Sequence, residues 1–80
     1  MHESLLVKEL LDEISRLARE QPMAKITKVR VSLGKDGHTS PESLRLHFEE
    51  QSQRTVAEGA NLEVESVPGD SLFLVSLEGE

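Results

Sequence analysis

The sequence contains no cysteine, tryptophan or tyrosine, and only two phenylalanines. Without cysteine there can be no disulfide framework, no thiolate zinc site and no cysteine nucleophile. Two aromatic rings are too few for base-stacking platforms. Positive charge is also scarce, with 9 Lys and Arg against 15 Asp and Glu and a net charge of −6. A nucleic-acid binder needs a basic face to neutralise phosphates, so no nucleic-acid partner is expected. No apolar run approaches membrane-spanning length, and no membrane partner is expected. The start, Met1-His2-Glu3-Ser4, lacks a basic stretch leading into an apolar one. It does not read as a secretory signal, and a cytoplasmic location is the expectation.

What is present fits one small domain spanning 1–80. At about this size a single core supplies only a few kcal/mol of net stability. Apolar residues make up 36% of the chain, and no disulfide is available as a staple. Self-association, as a homo-oligomer, or a partner protein is therefore expected.

The periodicities set out five elements. Leu5, Leu6, Val7, Leu10, Leu11, Ile14, Leu17 and Ala18 recur at helical spacing, with Ser4 as N-cap and Pro22 as the stop. Asp12, Arg16 and Glu20 follow one another four apart on its polar side. Residues 25–33 alternate, with Thr27, Val29, Val31 and Leu33 on one face of a strand closed by Gly34. Thr39-Ser40-Pro41-Glu42 starts a second helix through Leu44 and Phe48, ending near Arg54. Either hydroxyl can cap it, and Thr39 with Glu42 has capping-box spacing. Leu62, Val64 and Ser66 alternate as a second strand. Pro68-Gly69-Asp70 reads as a turn into a third strand over 71–77. There Leu72, Leu74 and Ser76 share one face, and Phe73, Val75 and Leu77 the other. Strands two and three are expected to form an antiparallel hairpin, and strands one and two to lie parallel. Residues 78–80 are expected to fray. The fold class is α+β, two helices packed on a three-stranded sheet in the order α-β-α-β-β.

No enzyme constellation appears: there is no phosphate loop and no dinucleotide fingerprint. The protein is not expected to be an enzyme. Three histidines remain to be placed. His47 lies beside the Leu44/Phe48 stripe and reads as a boundary residue. His38 sits in a glycine-containing loop and reads as solvated. His2 differs because of its position. The Met1 α-amine and the His2 amide can close one chelate ring on a metal, and the His2 imidazole can close another. The Glu3 amide or carboxylate could complete the set. Nitrogen donors in a square plane suit Ni(II) or Cu(II). Many chains begin Met-His, so this pattern alone does not establish a site.

The order of short motifs adds to it. Met1-His2-Glu3 precedes a Leu-rich helix. Val29-Arg30-Val31-Ser32-Leu33-Gly34 is followed by a polar loop, then by Pro41-Glu42-Ser43-Leu44-Arg45 and Phe48-Glu49. Ala57-Glu58-Gly59-Ala60-Asn61-Leu62-Glu63-Val64-Glu65 follows, and then Val67-Pro68-Gly69. In this order and spacing the chain resembles the HypA/HybF family of hydrogenase nickel-incorporation proteins, which are nickel metallochaperones.

The resemblance implies Ni(II) as the metal, with Met1, His2 and Glu3 as the site. It implies a HypB-type GTPase and a nickel-enzyme precursor, such as that of a [NiFe] hydrogenase, as partners. It also exposes a departure. Family members carry a cysteine-built zinc domain after Pro-Gly. Here the chain runs through Asp70 directly into Leu72-Phe73-Leu74-Val75, so the zinc domain is expected to be absent between residues 69 and 71, with no zinc bound. That departure leaves an alternative: a metal-free interaction adaptor that kept the fold.

Overall fold

A computed structural model describes the backbone of residues 2–80 and the side chains of residues 4–80. The elements follow the expected order: α1 (His2–Glu20), β1 (Ile26–Gly34), α2 (Pro41–Gln51), β2 (Asn61–Val67) and β3 (Leu72–Gly79). The α+β architecture of two helices and a three-stranded sheet is borne out.

β1 is the central strand. It pairs parallel with β2 and antiparallel with β3, giving the order β2-β1-β3. The parallel pairing of the first two strands is as expected. The expected hairpin between β2 and β3 does not form. β1 carries Val29, Val31 and Leu33, all buried, and both neighbours gain more by flanking it. Residues 68–71 therefore pass over the end of β1 from one sheet edge to the other.

Glycine makes that short crossing fit. A Cβ on Gly34 would collide with the Gly69 carbonyl. Gly69 itself has a φ of 105°, which favours glycine. Lys35 N donates to Val67 O at 2.9 Å and Asp36 N to Gly69 O at 2.8 Å. Asp36 Oδ2 accepts from Gly69 N at 2.9 Å, tying the two loops together.

Two β-bulges reset the alternation. The β1–β3 register slips between Ile26 and Lys28, so Thr27 turns outward and Ile26 is fully buried. It slips again between Arg30 and Val31, opposite Val75. Val75 and Ser76 both face out, and Leu77 joins Leu72 and Leu74 against the core. An extra residue in one strand flips every side chain beyond it. The expected faces of Thr27, Ser76 and Leu77 are corrected for this reason.

α1 buries Val7, Leu10, Leu11, Ile14 and Ala18, while Leu5 is exposed. Arg16 bonds Glu20 at 2.8 Å, and Asp12 pairs back to Lys8 rather than forward to Arg16. Ser40 caps α2, its Oγ accepting from Ser43 N at 3.1 Å, with Pro41 in the first turn. α2 stops at Gln51, short of Arg54, which adopts a positive φ of 67°. The final residues are held rather than frayed. Gly79 pairs with Ile26, and Glu80 N donates to Lys25 O at 2.9 Å. No described helix is long and apolar enough to cross a membrane.

Candidate metal site

The residues expected to carry metal chemistry stand at the start of α1. Met1 and the side chains of His2 and Glu3 lie outside the described residues. The backbone of that turn and its surroundings are described. The first four N–H groups of a helix find no carbonyl partner within it. In α1, which begins at His2, these include the amides of His2 and Glu3. Neither is committed to an intrahelical bond.

Ser4 does not cap α1, because the helix starts two residues earlier. Its polar groups are used elsewhere. Gln51 Nε2 donates to the Ser4 carbonyl oxygen at 3.1 Å and to Ser4 Oγ at 2.9 Å. A side-chain amide has two hydrogens, so both bonds form together. Gln51 is the last residue of α2, so this bond pair fastens the end of one helix to the beginning of the other. No local pattern in the sequence marks Gln51, since its partner lies 47 residues away.

His47 is half-buried on α2, beside buried Leu44 and Phe48, with Nδ1 3.7 Å from Glu50 Oε1. His38 is exposed on the β1–α2 loop. It borders a recess of about 230 Å³ with Asp36 and Asp70. The Asp36 carboxylate is already engaged by Gly69 N. Among the described residues, no group of three or more His, Cys, Asp or Glu converges as metal ligands would.

Charge is organised on the sheet face away from the helices. Arg30 donates to Glu63 Oε1 through Nε at 3.2 Å and Nη2 at 3.1 Å. Lys28 Nζ stands 3.4 Å from Glu63 Oε2 and 4.0 Å from Glu78. The Arg30 guanidinium, and then Lys28, hold the Glu63 carboxyl below its ordinary value of 4.5.

Known proteins resemble this chain in sequence and in fold. The sequence model for HypA, described as a hydrogenase/urease nickel-incorporation metallochaperone, matches residues 1–72. The chain is 36% identical over 69 residues to the hydrogenase maturation factor HypA 2 of Bradyrhizobium diazoefficiens, covering 86% of this chain and 61% of that one. It is 38% identical over 69 residues to HypA of Rhodopseudomonas palustris, with the same coverage of 86% and 61%. HypA of Acidithiobacillus ferrooxidans is 34% identical over 74 residues, 92% of this chain and 66% of its own. The chain thus spans about three fifths of the length of these curated relatives. Its fold is that of the Ni metallochaperone HypA from Helicobacter pylori in its solution structure. The TM-score is 0.73 at 18% identity, covering 92% of this chain and 70% of that one.

Proposed function

This chain belongs to the HypA family of nickel-incorporation metallochaperones, and on that premise we propose that it carries nickel for the maturation of a nickel enzyme. The ion is its cargo. Met1 supplies the α-amine, His2 its amide nitrogen and imidazole, and Glu3 its amide or carboxylate. The observation that carries this reading is the start of α1 at His2. It leaves the His2 and Glu3 amides without helical partners, so a metal bound at these nitrogens displaces their protons to solvent. The positive end of the helix macrodipole favours the deprotonated, negative amide. Nitrogen donors of this kind suit Ni(II).

As cargo, the ion must be able to leave. The protein contributes binding and transfer and performs no catalysis of its own. Its partners in this reading are a HypB-type GTPase and the nickel-enzyme precursor, and it acts in the cytoplasm. The zinc domain of the family is missing between residues 69 and 71. The lack of any cysteine and the close crossing at Gly34 and Gly69 support this.

Equilibrium dialysis against Ni(II) tests the reading. The parent chain should retain nickel and His2→Ala should lose most of it. Equal retention by both would place the ion elsewhere. Capture of a GTPase partner that survives both His2→Ala and chelation would favour the metal-free adaptor instead.

A further inference from the structure

We propose that Gln51 is a positioning residue for the N-terminal nickel site. This rests on the nickel reading above. Its side chain pins Ser4, the first described side chain after the three ligand residues, through both the carbonyl oxygen and the hydroxyl. The pin comes from the far end of α2, so it fixes the start of α1 against the rest of the fold.

Its effect follows from the geometry of chelation. Binding by successive main-chain nitrogens draws each residue's nitrogen, Cα, carbonyl carbon and the next nitrogen toward one plane. A helical ψ near −42° does not allow that. Loading therefore takes His2 and Glu3 out of helical geometry, a change their amides do not oppose because they bond no carbonyl within α1. A helix end disturbed in this way ordinarily frays further. With Ser4 held twice, the change stops there. Only a short tail has to be ordered around the ion, which lowers the entropic cost of binding.

Nickel titration by calorimetry of the parent, Gln51→Ala, Ser4→Ala and the double variant tests this. Gln51→Ala should bind several-fold more weakly, by at most about tenfold, because the one or two exposed hydrogen bonds that hold Ser4 limit how much ordering they can supply. Its nickel absorption spectrum should match the parent's, because the donor atoms are unchanged. Ser4→Ala keeps the carbonyl bond and should lose less. In the Gln51→Ala background it should lose nothing further, because the two act as one unit. Amides 6–8, the first with carbonyl partners inside α1, should exchange hydrogen faster in Gln51→Ala. Should Gln51→Ala fail to fold, exposed Ser4→Ala makes the same comparison with the parent. Affinity unchanged in Gln51→Ala, or fully additive losses, would overturn the positioning role while leaving the nickel site intact. A parent chain that binds no nickel would overturn both.

Discussion

The backbone of Gly69 occupies the space that a side chain on Gly34 would need. The two residues meet where the β2–β3 connection crosses the end of the central strand. Gly34 N also donates to Ser71 O at 2.8 Å, so the crossing is both close and bonded. Gly34→Ala should therefore destabilise the fold by about 1–3 kcal/mol or more, in the range of overpacked sites. Gly59→Ala provides the contrast. Nothing lies within 4 Å of a Cβ there, but its φ of 78° would strain alanine by about 1 kcal/mol. Urea denaturation of both variants checks the order.

Ser40 is the cap of α2, and Thr39 is not. Ser40→Ala should cost about 1 kcal/mol and Thr39→Ala much less. Equal losses in thermal melts would contradict the observed cap.

Leu44 is fully buried between α2 and the rest of the core, whereas Phe73 is 63% exposed. Leu44→Ala should destabilise by about 2–5 kcal/mol. For a domain this small, that can leave a large unfolded fraction at 25 °C. Phe73→Ser should change stability by no more than about 0.5 kcal/mol. Chemical denaturation distinguishes the two.

Glu63 gives the stability a pH dependence. Its carboxyl is held below the ordinary 4.5 by Arg30 first and Lys28 second. A depressed carboxylate contributes stability above its unfolded pKa, and loses it as pH falls through the lowered folded value. Glu63→Gln should thus melt below the parent at neutral pH. The gap should begin to close as pH drops below about 4.5, and added salt should narrow it at neutral pH. A gap that widens in acid would contradict the pairing.

The elements were legible in the sequence because their periods are strong. α1 follows its leucine stripe, and Ser40-Pro41 starts α2 where that pair leads one to expect. The parallel β1–β2 pair follows from the intervening helix. Long-range choices were not legible. Pro68-Gly69-Asp70 has turn chemistry in either topology, so nothing local told a hairpin from a crossing over β1. The two bulges lie at ordinary residues, Thr27 and Val75, and only pairing with a neighbour exposes them. Ser4 reads as a cap from its type, yet the helix begins before it and Gln51 takes its hydroxyl. The proposed metal ligands stand at the other extreme. Met1, His2 and Glu3 are visible in the sequence alone, and their arrangement lies outside the described residues.

The central claim is that nickel is held by the chain's own N-terminus. It is tested most directly by titrating Ni(II) into the parent and into a chain with residues added before Met1, following absorbance in the d–d region. The parent should give a yellow, diamagnetic square-planar complex, and the extended chain should not, because its Met1 nitrogen is no longer an amine. The same complex in both, at the same affinity, would contradict the account.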